Sequence, residues 1–109
     1  MQLQRDKDRV IKFFLDFALK YFNPKKIILF GSRARGDNSQ RSDYDFAVDD
    51  SGIPNDKWVR FSVDLRENLP TLNEVEVVRI SQVAKPFKKR ILEEGIVLYE
   101  SKNKFKKSR

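Results

Sequence analysis

Two aspartates, Asp43 and Asp45, sit two residues apart, and ten residues separate the first of them from a Gly31-Ser32 pair. In an extended chain, side chains i and i+2 project to the same face, with Cα atoms roughly 6.5–7 Å apart. Carboxylates so placed suit one or two Mg²⁺ ions held beside phosphates. Such a metal pair stabilises both the attacking and the leaving oxygen of an in-line displacement. A glycine directly after a strand lets the backbone turn sharply and come close to a ligand. The Ser32 hydroxyl and the amides from Ser32 to Gly36 are then donors for phosphate oxygens. Arg33, Arg35 and Arg41 add guanidinium groups that can grip phosphate bidentately. A third carboxylate on a neighbouring strand completes a site of this kind, and Glu76 is the best placed. Glu74, two residues earlier, competes for that role. The expected catalytic and metal-binding set is therefore Asp43, Asp45 and Glu76, and the expected phosphate-binding set is Gly31, Ser32, Arg33 and Arg35.

Composition narrows the alternatives. The 109 residues contain no histidine and no cysteine, which excludes disulfides, thiolate chemistry and the usual base at neutral pH. The remaining groups are carboxylates, hydroxyls, amides and basic side chains. No apolar run approaches the roughly 18 residues of a membrane span, and the N-terminus lacks a secretory pattern, so a cytoplasmic protein without a membrane partner is expected. The net charge is +7, but Lys102, Lys104, Lys106, Lys107 and Arg109 supply five of those charges and leave only +2 on the rest of the chain. A basic end of this kind is usually solvated and frayed, so nucleic acid is not the expected partner. The chain divides into one domain over residues 1–100 and a basic, disordered tail over 101–109.

The elements that must position the site follow from periodicity. Apolar residues at Val10, Phe13, Phe14, Phe17, Ala18 and Tyr21 predict a helix from about Asp6 to Phe22, ended by Asn23-Pro24. Lys26-Ile27-Ile28-Leu29-Phe30 reads as a buried strand, and the polar, glycine-rich segment that Gly31-Ser32 opens reads as a loop. Residues 42–48 alternate, with Tyr44, Phe46 and Val48 on one face and Asp43, Asp45 and Ala47 on the other. Asp49 and Asp50 are assigned to the turn that follows. Trp58, Phe61, Leu65 and Leu69 mark a second helix, residues 74–80 a third strand, and Pro86 the first turn of a final helix. Gly95 is placed as the left-handed glycine that stops this helix, before a last strand at 96–99. The expected fold class is α/β (α+β): a small mixed sheet of about four strands, with helices packed mainly on one face.

Gly31-Ser32-Arg33-Ala34-Arg35-Gly36, followed by Ser42-Asp43-Tyr44-Asp45-Phe46-Ala47-Val48, resembles the minimal nucleotidyltransferases of the DNA polymerase β superfamily. The closing stretch from Arg90 to Glu100 is similar to the end of that family, so the resemblance runs from about Ile27 to Glu100. It implies that Gly31 and Ser32 hold a nucleoside triphosphate, with ATP as substrate, and that Asp43 and Asp45 bind Mg²⁺. The family's third acidic residue is usually aspartate among apolar neighbours, and here Val75-Glu76-Val77-Val78 occupies the position. Many such small proteins are encoded beside a HEPN-domain partner, and several act as antitoxins to a HEPN ribonuclease. The resemblance therefore implies transfer of AMP to a tyrosine hydroxyl of a HEPN-domain protein. The alternative is a catalytically silent module that neutralises its partner by contact. A homo-oligomer remains compatible with either reading.

Overall fold

A computed structural model of the protein describes residues 8–50 and 52–101; the basic stretch over 102–109 and the first turn expected near Asp6 lie outside them. Helix α1 spans Arg9–Tyr21. It begins where the Asp8 carboxylate accepts hydrogen bonds from the amides of Val10 (2.8 Å) and Ile11 (3.2 Å), satisfying donors that a helix start leaves open. Strand β1 (Lys26–Phe30) follows, then a short helix α2 (Ser32–Arg35) and strand β2 (Tyr44–Asp49). Helix α3 (Asn55–Asn68) leads to strand β3 (Val75–Arg79) and a 3₁₀ turn, Ile80–Gln82. Helix α4 (Lys85–Glu94) and strand β4 (Ile96–Glu100) complete the order.

The sheet order is β3-β2-β1-β4. β1 runs antiparallel to both β2 and β4, while β2 and β3 are parallel, as a crossover through α3 requires. Ile27, Leu29, Tyr44, Phe46 and Val48 face α1 and α3 and form the larger core. Phe14 stacks on Phe46 with ring centroids 3.9 Å apart, and Phe61 of α3 is fully buried among Phe14, Phe17, Tyr21, Phe22 and Trp58. The opposite face carries a smaller cluster of Ile28, Ala47, Ile80 and Ile91 under α4. The mixed sheet with its main helical layer on one face is the expected α+β class. Among the described residues no helix is long and apolar enough to cross a membrane.

Three local expectations need correction. Residues 32–35 form a helical turn rather than open loop, closed by Gly36, whose φ of 88° is left-handed. Gly95 does end α4, but at φ −76° it is not a left-handed cap. Its glycine identity has a packing cause: a Cβ there would overlap Ile28 Cγ2 and the Ile91 carbonyl oxygen. Gly95→Ala is expected to cost about 1–3 kcal/mol through this overpacking, read as a lower urea midpoint with an unchanged slope.

The third concerns the aspartates after β2: Asp50 lies in the connection as expected, but its side chain is interior. It is 4% exposed and Arg79 is 8% exposed. Arg79 donates from Nη2 to Asp50 Oδ2 (2.8 Å) and to the Ile53 carbonyl (2.7 Å), and from Nη1 to Asn55 Oδ1 (2.9 Å). Ser81 Oγ donates to the other Asp50 oxygen at 3.3 Å. The guanidinium also lies 5.2 Å from the centre of the Trp58 ring. This network ties the far end of β3 to the start of α3. Asp49, by contrast, is not part of that turn: it is the last residue of β2, paired with Lys26.

Candidate active site

The sheet register builds a row of side chains on the α4 face. Phe30 pairs with Asp45 across β1 and β2, and Asp45 pairs with Glu76 across β2 and β3. Asp43 lies just before β2, where the Tyr44 amide donates to the Glu74 carbonyl at 2.9 Å. Asp45 is half-buried, while Asp43 and Glu76 are exposed. Burial raises the Asp45 carboxyl above its ordinary value, and the charges of Glu76 and Asp43 raise it further; Arg35 opposes them. The structure thus brings Asp43, Asp45 and Glu76 into one electrostatic group, with Arg35 at its side.

Gly31 abuts Asp45. Its φ of 77° and ψ of −159° belong to a region open to glycine alone, and an added Cβ would overlap Asp45 Oδ2. The glycine therefore serves two ends: it makes the turn out of β1, and it leaves the space over the carboxylate open. Gly31→Ala is expected to cost about 1–3 kcal/mol from strain and to displace Asp45. Thermal melting would show the first effect. Weakened triphosphate binding, measured by calorimetry, would show the second.

Of the amides expected to face phosphate, most are used by the turn itself. Ala34 and Arg35 donate to the Gly31 carbonyl at 3.0 and 3.1 Å, while Gly36 and Asp37 donate to that of Ser32 at 2.9 and 3.2 Å. The turn does not use the amides of Ser32 and Arg33.

Arg33 turns two of its nitrogens onto the chain itself. Its Nε and Nη2 donate to the Ser42 carbonyl at 3.2 and 3.1 Å, and Nη2 also reaches the carbonyls of Gln40 (3.3 Å) and Ser39 (3.4 Å). The guanidinium lies 3.9 Å from the centre of the Tyr44 ring. Tyr44 in turn donates to Asp8 at 2.8 Å, and burial together with that carboxylate pushes its hydroxyl up to about 12. Arg33 is thus a positioning residue that fixes the 39–42 loop and, through it, Asp43. Asn73 does the same from the other side, donating to the carbonyls of Gln40 (2.8 Å) and Ser42 (3.3 Å). Sequence reasoning misses Asn73 because no pattern links a loop amide to carbonyls some thirty positions away.

Arg35 is available. It is exposed and meets Asp37 at 3.2 Å and Glu94 at 3.7 Å; surface pairs of this kind are worth about 0–1 kcal/mol, so a phosphate can replace them. A small pocket of about 110 Å³ beside Gly31 is lined by Arg35, Phe87, Arg90 and Glu94, among others. Sequence reasoning misses Arg90 as well, although Phe87, Arg90, Ile91 and Glu94 follow the i, i+3, i+4, i+7 spacing of one helix face. Arg41 is exposed.

Among the described residues no three acidic side chains converge closely enough to hold a metal ion by themselves. The donor set still fits Mg²⁺, which is ordinarily held by one or two carboxylates plus substrate phosphates rather than by a protein cage. The Asp45 carboxyl is raised by burial first and by Glu76 and Asp43 second, and a cation held there would offset the charges of those neighbours.

A mixed sheet that sets a glycine-serine turn against carboxylates on the adjoining strands is a nucleotidyltransferase arrangement. The chain belongs to the polymerase beta nucleotidyltransferase family, whose model matches residues 14–104. Its fold is similar to that of a chain in a toxin–antitoxin structure with AMP-PNP (TM-score 0.69, 18% identity, 87% of this chain and 77% of that one). It is also similar to a chain from the complex of the tri-AMPylated Shewanella oneidensis HEPN toxin with MNT antitoxin (TM-score 0.63, 15% identity, 87% and 73%). A minimal nucleotidyltransferase structure is 24% identical, with a TM-score of 0.61 over 78% of this chain and 85% of that one. No curated protein matches the sequence.

Proposed function

We propose that the protein is a Mg²⁺-dependent nucleotidyltransferase that moves AMP from ATP onto a hydroxyl of a HEPN-domain partner, as the antitoxin of a toxin–antitoxin pair. The observation that carries the chemistry is the row Gly31, Asp45, Glu76, in which an open turn faces a half-buried carboxylate flanked by two more. The partner assignment rests on the similarity to chains of HEPN toxin complexes. In this reading Gly31, Ser32 and Arg35 bind the triphosphate, the hydroxyl of Ser32 donating to a phosphate oxygen. Arg90 stands beside them, and Arg33 holds the loop that carries Asp43.

Asp43, Asp45 and Glu76 are the residues that would hold Mg²⁺, which when bound supplies positive charge against the phosphates in both ground and transition states. Glu76 faces the acceptor and receives the proton from its hydroxyl. The acceptor oxygen forms a bond to the α-phosphorus as the α–β bridging bond breaks, and pyrophosphate departs. Glutamate in place of the family's usual aspartate reaches one methylene further, and its exposed position leaves room for that shift.

Incubation of the partner with the protein, ATP and Mg²⁺ tests this reading by intact-mass spectrometry. The partner should gain the mass of one or more AMP residues, and a chelator should stop the gain. A partner that forms the complex but keeps its mass would support contact-only neutralisation instead.

A further inference from the structure

The sheet has two edges, β3 and β4. β3 carries Glu76 of the candidate site, so a neighbour laid along it would crowd that site. β4 is free of this constraint. Its run Ile96-Val97-Leu98-Tyr99 holds no charge and no proline, two devices that ordinarily keep an edge strand from pairing with another chain.

Apolar side chains border β4 on both faces of the sheet. On one face, Leu98, Tyr99 and Leu15 pack against the larger core. Helix α1 meets α3 through Phe17 and Tyr21, which contact Phe61. Leu15 and Leu19 lie two residues either side of Phe17, about 200° around the helix, on the flank of α1 away from α3 and toward β4. On the other face, Val97 stands opposite Ile28. Leu92 occupies the flank of α4 that turns away from Arg90 and Glu94 of the small pocket. Leu19, Leu92 and Val97 are all exposed. One exposed apolar residue is ordinary, but three around a single edge strand make a patch of the kind that another chain covers.

The charges at the ends of β4 define what fits. Glu93 and Glu94, both exposed, come just before the strand, and Lys102 and Lys104 come just after it. Two β4 strands laid antiparallel set the start of each against the end of the other. Carboxylates then meet ammonium groups at both ends, and apolar residues meet between them. We infer that this edge is an interface between two copies of the chain, related by a two-fold axis, with β4 antiparallel to its counterpart. Such a contact is self-complementary and closes on itself, the commonest arrangement of soluble oligomers. It joins the two sheets into one and leaves both β3 edges and both candidate sites uncovered. It also gives the lysines after β4 a role that needs no nucleic acid.

Sedimentation equilibrium of the full chain tests it. The wild type should dimerise at high micromolar concentration. Val97→Lys puts a cation into the apolar centre from both copies and should raise the dissociation constant by about 100-fold or more. Leu19→Glu, on a different element, should do the same, and circular dichroism checks that each variant is folded. Glu93→Lys sets like charges together at both ends and should weaken the dimer about tenfold. Adding Lys102→Glu to that variant should restore it. A monomer at every concentration, or a dimer indifferent to both apolar substitutions, would overturn the inference. A dimer broken by Val97→Lys but indifferent to the charge reversals would also overturn it, because the two strands would not run antiparallel.

Discussion

Asp45→Asn is expected to lower nucleotidyl transfer by about 10²–10³-fold, a loss of the size seen when one preorganised electrostatic group is removed from a reacting centre, and at the same time to make the free protein more stable at neutral pH. The second effect follows from the raised carboxyl. Its folded-state value lies above the unfolded one because of burial and the neighbouring charges of Glu76 and Asp43, so the ionised form subtracts from stability. That deficit is fully present above the folded value. It shrinks as pH falls through that value and is gone below the unfolded one, where both states are protonated. Asparagine carries no charge at any of these pH values.

The melting temperature of Asp45→Asn should therefore exceed that of the wild type at pH 7, and the difference should close in the acid range. Mg²⁺ with AMP-PNP should reverse the order at neutral pH, because ligand that binds only the folded wild type stabilises it by mass action. A melting temperature for the variant below that of the wild type at pH 7, without ligand, would show that Asp45 is a structural rather than a strained functional carboxylate.

Removing one partner of the Arg79–Asp50 pair should have the largest effect on stability. Asp50→Leu leaves a guanidinium that is 8% exposed without its carboxylate, and breaking a buried pair in this way costs about 3–5 kcal/mol. Domains of this size have roughly 5–15 kcal/mol in total, so the variant should stand close to unfolding at ambient temperature. Arg79→Met should be similarly damaging, because it strands the Asp50 carboxylate, which accepts from both Arg79 and Ser81. The double variant Asp50→Leu with Arg79→Met should recover a large part of the loss, since well-packed apolar replacements of buried pairs are often neutral. Urea denaturation of the four proteins closes the cycle. Additive losses in the double variant would mean that the two residues act independently, contrary to the geometry.

The parts of the fold that rest on periodicity are legible in the sequence. Val10, Phe14 and Ala18 fall on one face of α1 and are buried as their spacing requires. The alternation of Tyr44, Phe46 and Val48 against Asp45 and Ala47 sets both the inner face of β2 and the face that carries the candidate site. Gly31 is legible too, because a glycine between a buried strand and a polar segment marks a sharp turn. Its contact with Asp45 is not, since that depends on how β1 and β2 pair.

What stays hidden depends on distance along the chain. Arg33 reads as a loop cation like Arg35, and only the path of residues 39–42 over it turns its donors inward. Asp50 and Arg79 are 29 positions apart, and each alone reads as a charge at a strand end. Gly95 stands at the end of α4 as its position suggests, but packing rather than backbone geometry requires it. A left-handed cap and the pressure of Ile28 on that position leave the same residue in the sequence.

Nucleotidyl transfer sends the α-phosphate of ATP, rather than the terminal one, to the acceptor. Parallel reactions with ATP labelled at the α-phosphate and at the γ-phosphate, each with Mg²⁺ and the partner protein, test it most directly. Label on the partner from the α-position alone, lost with Asp45→Asn, is the predicted result. Label from the γ-position would mean that the protein is a phosphoryl rather than a nucleotidyl transferase.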